Sequence, residues 1–209
     1  MNRTLLQLNS SLQSENGHSS RLANEFVAAW KARNPGGTVI VRDLNRNPVP
    51  HLTDERFRGF LAKPENRTPE QQAEVTCSDA LIDELKRADV IVLGLPMYNF
   101  DVPSTLKAYF DHIARAGVTF RYTDRGPVGL LTGKKVYVFA TRGGIYAGTP
   151  GDTQTGYVRN FLALLGITEV EFVYAVGLAI GDKIRDAALS EAKKTIERLI
   201  APGREPAVA

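Results

Sequence analysis

The chain has 209 residues, 43% apolar and 23% charged, with a net charge of +3 at neutral pH. Those proportions fit a soluble globular protein of one domain, residues 1–209, long enough to bury a sizeable core. They argue against nucleic acid as a partner, because Lys and Arg alternate with Asp and Glu and form no basic stripe. No window approaches the roughly 18 uninterrupted apolar residues of a membrane span, and the opening MNRTLLQLNSS has no small-residue cleavage site after it. A single cysteine, Cys77, excludes an internal disulfide framework and fits a reducing cytoplasm.

Five short apolar runs recur along the chain: Thr4–Leu8, Thr38–Leu44, Val90–Leu95, Val136–Thr141 and Val170–Val176. They are rich in β-branched or aromatic residues and mostly continuous in hydrophobicity, the mark of strands buried on both faces of a parallel sheet. Helical spacing fills the gaps. Leu22, Phe26, Ala29 and Trp30 share a first face, and Leu81, Leu85 and Ala88 a second. Leu106, Tyr109, Phe110, Ile113 and Ala114 form a third, and Val158, Phe161, Leu162 and Leu165 a fourth that stops at Gly166. Ala187 to Ile200 forms the last, before a polar tail over residues 201–209. Five strands alternating with helices predict an α/β fold: a doubly wound, flavodoxin-like five-stranded parallel sheet flanked by helices, three layers αβα, with order 2-1-3-4-5. Residues 45–69, long, Pro-rich and charged, break the rhythm as a lid-like insertion or a solvated loop, with a short helix near Glu55–Leu61.

In such a sheet, ligands bind beyond the C-terminal strand ends where the strand order reverses. Three loops of unusual composition leave those ends. The first, Asn9 to Leu22, is crowded with Ser10, Ser11, Ser14, Ser19 and Ser20 and feeds a helix N-terminus. That is suited to a phosphate or, more plainly, to helix capping. It lacks both GxxxxGK[ST] and GxGxxG, which disfavours a nucleoside triphosphate or a dinucleotide pyrophosphate. The second, PMYNF from Pro96 to Phe100, joins two aromatic surfaces to an Asn that tolerates a left-handed turn. The third, Thr141 to Asp152, holds Gly143 and Gly144 for close backbone approach, with Arg142 available to a ring carbonyl. A monophosphate at one end and a flat polar-edged ring at the other describe flavin mononucleotide.

At these residues the chain resembles the FMN-dependent NADH-azoreductases, relatives of the NAD(P)H quinone reductases and flavodoxins. The likeness spans nearly the whole chain. It is carried by PMYNF, PSTLKAYFDHIARAGVTFRYT, GPVGLLTGKK and TRGG. The resemblance implies phosphate contacts from Ser11, Gly17, His18 and Ser19, where Gly17 stands at a common family serine, so that a backbone N–H replaces a hydroxyl. It implies ring contacts from Pro96, Met97, Tyr98, Asn99 and Phe100 and from Thr141, Arg142, Gly143 and Gly144, with the Asn99 backbone near flavin N5. It also implies a homodimer with one FMN per subunit at the interface, where Phe120, Tyr122 and Phe161 wall a substrate pocket. The activity implied is ping-pong hydride transfer from NADH or NADPH through FMN N5 to quinones or azo compounds. The alternative is a flavodoxin-like electron carrier without turnover of its own.

No side chain is expected to act as a catalyst. His18, His51 and His112 show no metal spacing, and His112 is expected at the flank of its helix or at an interface. Cys77 is expected to be a buried structural thiol. Asp111 and Arg115 are expected to pair four residues apart, and Arg56, Arg58 and Lys63 to be solvated charges more than a nucleotide 2′-phosphate site.

Overall fold

The computed structural model describes residues 3–201. The polar tail beyond Ala201 lies outside the described residues. Five parallel strands, β1 (Thr4–Asn9), β2 (Thr38–Asp43), β3 (Val90–Pro96), β6 (Lys135–Thr141) and β7 (Glu169–Ala175), lie in the order β2-β1-β3-β6-β7. This is the flavodoxin-like 2-1-3-4-5 arrangement, and its reversal falls between β1 and β3. An antiparallel hairpin of β4 (Phe120–Thr123) and β5 (Gly126–Gly129) stands apart from the main sheet.

The continuous apolar runs are explained by the two faces of the sheet. Leu6, Leu8, Ile91, Leu93, Leu95, Val136 and Val138 pack on α3 (Pro69–Arg87), α4 (Ser104–Ile113) and α5 (Thr153–Leu164). The alternate residues Leu5, Val90, Val92, Tyr137 and Phe139 pack under α1 (His18–Arg33) and α6 (Asp182–Ile200). Because strand side chains alternate between faces, a strand covered by helices on both sides has no polar position to spare.

Several elements depart from the sequence reading. α1 begins at His18 and α6 at Asp182, each earlier than its apolar stripe. α3 begins at Pro69, where Thr68 and Gln71 form a reciprocal capping box. The 45–69 segment is docked, not a bare loop. Its helix α2 (Asp54–Leu61) pairs Arg56 with Glu74 of α3 at 2.8 Å, and places Phe60 beneath the Arg115 guanidinium. His112, expected at a flank, is completely buried and edge-on to Phe60, because α2 closes over the end of α4. Arg115 reaches Asp79 of α3 while Asp111 takes Lys107, so the expected Asp111–Arg115 pair does not form. Cys77, expected to be buried, is exposed, since α3 turns that face outward. Gly166 does close α5, with φ of +94°.

Candidate functional site

The first loop becomes a short 3-10 turn, Ser14–Asn16, that delivers the chain to the start of α1. Helix N-termini expose unpaired N–H groups, and α1 has no side-chain cap on them. Its first turn also carries Ser19 and Ser20, whose hydroxyls are buried with no hydrogen-bond partner. Ser10 is not available to a ligand, since its hydroxyl donates to the Gly94 carbonyl at 2.7 Å. Gly17 sits tightly against Ser11: a Cβ there would lie 2.2 Å from the Ser11 hydroxyl oxygen. The N–H of Gly17 donates to the Ser14 carbonyl, so the glycine contributes space for Ser11 and no free donor. The free backbone donor expected at Gly17 is therefore not there. His18 is half-buried, and its pKa is lowered chiefly by burial and then by the nearby Arg21 and Arg185, which favours the neutral ring.

The second loop is a tight turn. The Tyr98 carbonyl accepts from the Asp101 N–H at 3.0 Å and the reverse bond measures 3.1 Å, while Asn99 and Phe100 have φ of +51° and +64°. Two successive positive φ values are the signature of a type I′ turn, which Gly normally occupies. Left-handed non-glycine residues cost about 1–3 kcal/mol each and concentrate at ligand sites. The N–H groups of Asn99 and Phe100 find no acceptor among the described residues. The Tyr98 hydroxyl accepts from the Leu12 N–H at 3.3 Å and lies 3.4 Å from Ser11 Oγ, joining the second loop to the first.

The third loop is held from below. The carbonyls of Arg142, Gly143 and Gly144 accept from Leu178, Ala179 and Gly177 in the segment after β7, leaving the N–H groups of both glycines without acceptors among the described residues. The ring of Tyr146 lies across Gly144 and 5.1 Å from the Phe100 ring, closing the gap between the second and third loops. Arg142 does not reach out towards a ring carbonyl as expected. Its guanidinium is buried, donates to Asp152 at 2.7 Å and to Thr155 at 3.0 Å, and stacks over Tyr174. Burial alone would raise the Asp152 carboxyl, but hydrogen bonds from Arg142 and Thr155 outweigh it and hold the pKa down at about 2.

Ser11, Gly17, His18, Ser19, Pro96–Phe100 and Thr141–Gly144 thus line one rim of the sheet, around the reversal point. The remaining three residues do not join them within one chain. Phe161 lies two turns down α5, stacked on Phe110 at 4.0 Å. Phe120 and Tyr122 are on the hairpin, which is fixed to the far end of α5: the Leu131 N–H donates to Leu165, and Gly129 touches the Gly166 backbone. Phe120 is buried there, whereas Tyr122 is 74% exposed. Sequence reasoning missed the polar turn Asp152–Thr155, which braces two of the loops, and the Gly177–Ala179 support. An Asp at a helix start, followed by Thr-Gln-Thr, was the available signal for the former.

The residues present fit a flavin phosphate and ring: two orphaned buried hydroxyls at an uncapped helix start, then N–H groups without acceptors among the described residues on two loops. Residues 3–200 match a family model described as a flavodoxin-like fold. The chain belongs to this flavodoxin-like family. Among flavodoxin-like relatives, an FMN-dependent NADH:quinone oxidoreductase of Cellvibrio japonicus is 57% identical over 198 residues, covering 95% of this chain and 98% of the relative. One of the same description from Alcanivorax borkumensis is 54% identical, covering 92% of this chain and 97% of the relative. Among flavodoxin-like structures, an FMN-dependent NADH-azoreductase from Bacillus anthracis in complex with FMN superposes with a TM-score of 0.84 at 26% identity, covering 95% of this chain and all of that one. No helix among the described residues is long and apolar enough to cross a membrane.

Proposed function

We propose that this chain is an FMN-dependent NADH:quinone oxidoreductase that also reduces azo compounds. The observation that carries the reading is the union, at one sheet rim, of an uncapped helix start bearing two partnerless buried hydroxyls with a non-glycine left-handed turn. Ser11, Ser19 and the first-turn N–H groups of α1, beside His18, would hold the phosphate, since a helix N-terminus favours negative charge. Pro96 to Phe100 and Thr141 to Gly144 would hold the ring system. FMN held there would supply two-electron hydride chemistry, from NADH to a quinone that becomes its hydroquinone with a proton from water.

The chain's own part is placement and polarity. The N–H groups of Asn99 and Phe100, and of Gly143 and Gly144, offer fixed donors to a polar ring edge without reorganisation. Phe100 and Tyr146 supply an apolar wall that thins the water beside the reacting face. An azo bond requires two rounds, four electrons in all, to become two amines. We further propose a homodimer in which Phe161 and the exposed Tyr122 of each chain are offered to the other copy, since neither reaches the rim of its own chain. An exposed free Cys77 suits a reducing cytoplasm.

Anaerobic titration tests the reading. FMN-loaded protein should bleach near 450 nm with one equivalent of NADH and regain its colour on adding one equivalent of quinone. Retained colour with NADH, or bleaching that a quinone does not reverse, would refute it.

A further inference from the structure

Gln154 is a residue that neither the composition nor the family motifs single out. It is the second residue of α5 and is fully buried. Its Nε2 donates to the Pro96 carbonyl at 2.9 Å and to the Asp101 carbonyl at 2.8 Å, the two ends of the second loop. The adjoining Thr153 hydroxyl donates to the Phe100 carbonyl, inside the same loop. The residues on either side of this pair serve the third loop: Asp152 and Thr155 accept from Arg142. Four consecutive residues of one helix turn therefore tie together the two loops assigned to the flavin ring.

We infer that Gln154 is a positioning residue, a two-pronged clamp that holds residues 96–101 in the left-handed turn required for cofactor binding. The inference rests on the function proposed above. A primary amide is the only neutral side-chain group here that can donate two hydrogen atoms from one nitrogen, and both are used on carbonyls of the loop. Those two bonds fix the separation of the loop ends. Without them, only the paired Tyr98–Asp101 bonds and the Thr153 bond to the Phe100 carbonyl hold Asn99 and Phe100 at positive φ, a conformation that side-chain sterics oppose. The N–H groups of Asn99 and Phe100 are then less firmly fixed in direction.

The test compares the parent with Q154M, which keeps length and bulk but donates nothing, and with Q154E, whose carboxyl donates one hydrogen when protonated. Hydrogen exchange of peptides spanning residues 97–101 in the apoproteins reads the clamp without any cofactor. FMN titration, followed by flavin fluorescence and visible circular dichroism, reads its consequence. Q154M should exchange at least tenfold faster in that loop, with exchange in α1 and β3 unchanged, and should bind FMN about ten- to a hundredfold more weakly with an altered dichroism. Q154E should bind FMN no better than Q154M at pH 8, where a carboxylate would face two carbonyl oxygens, and recover part of the affinity, relative to the parent, as its carboxyl protonates at lower pH. Should Q154M not fold, the exchange and pH series of Q154E carry the test. Exchange in the 97–101 peptides equal to the parent's, or FMN affinity within twofold of it, overturns the clamp. A parent that fails to bind FMN while the variants still show faster exchange overturns the proposed function and leaves the clamp standing.

Discussion

Replacing Gly17 with alanine tests the geometry of the phosphate corner directly. Gly17 has φ of −66° and ψ of +143°, a conformation open to any residue, so the backbone itself is not strained by the change. Only space opposes it. The new Cβ would lie 2.2 Å from Ser11 Oγ and 2.7 Å from Ser11 Cβ, where ordinary contacts begin at 3.4 Å. Ser11 must therefore withdraw by roughly 1 Å, a displacement of the size that overpacking studies place at about 1–3 kcal/mol. The Ser11 hydroxyl accepts from the Gln13 N–H at 3.2 Å and lies beside Tyr98, so part of that cost is a weakened bond worth about 0.5–1.5 kcal/mol. At about 2–4 °C per kcal/mol for a chain of this size, the apoprotein should melt about 3–10 °C lower. FMN affinity should fall with it, because the first loop would no longer present Ser11 to the phosphate. Calorimetric melting of G17A, S11G and the double variant completes a cycle in which S11G/G17A recovers much of the lost melting temperature, while FMN titration shows no matching recovery because the Ser11 hydroxyl is gone. If G17A melts within 1 °C of the parent, or the double variant is no better than G17A, the close fit of these two residues is not what shapes the loop.

Other expectations concern the remaining loops. N99G should leave the melting temperature unchanged or slightly higher, whereas N99V should cost about 1–2 kcal/mol, because a β-branched residue resists positive φ; equal melting of the two would contradict the turn. Asp152 has its pKa depressed to about 2 from 3.8, so its contribution to stability is complete above about pH 4 and disappears as pH falls through about 2. Denaturant melts of D152N between pH 2 and 5 should lack that component of the acid slope, and should be weaker at neutral pH because the buried Arg142 loses its partner. Y122A should lower kcat/KM for quinones about tenfold while leaving the FMN dissociation constant unchanged, if the exposed hairpin ring serves another copy's pocket. A changed FMN constant would place Tyr122 at its own cofactor site instead.

What could be read from the sequence followed the strength of each periodic signal. The inner strands announced themselves most clearly because both of their faces are covered, so Val90–Pro96 and Lys135–Thr141 have almost no polar residue to blur the pattern, whereas the edge strand Thr38–Asp43 is only half-buried. PMYNF and TRGG stood out as compositions that packing alone does not require. The hairpin was missed because Phe120–Thr123 and Gly126–Gly129 are four residues each, and the second contains two glycines and a proline, which read as a turn. Surface and interior were confused at His112 because the 45–69 segment covers it, and at Cys77 because its face of α3 turns outward. Where α2 lies on α3 and α4 cannot be seen in the local spacing of either helix. Gln154 escaped notice for a related reason: its partners are 53 and 58 residues away in the chain, and no helix-face pattern encodes so distant a bond.

The junction of the hairpin with the end of α5 has a mechanical consequence. A methyl group on Gly129 would fall 1.9 Å from the Gly166 nitrogen, so two stretches of main chain meet there with nothing soft between them. An arm mounted in that way is held at its root by main chain against main chain, which resists swinging about that point. In the homodimer proposed above, the place of Tyr122 against the other copy would then follow from how two chains dock and not from a motion of the hairpin.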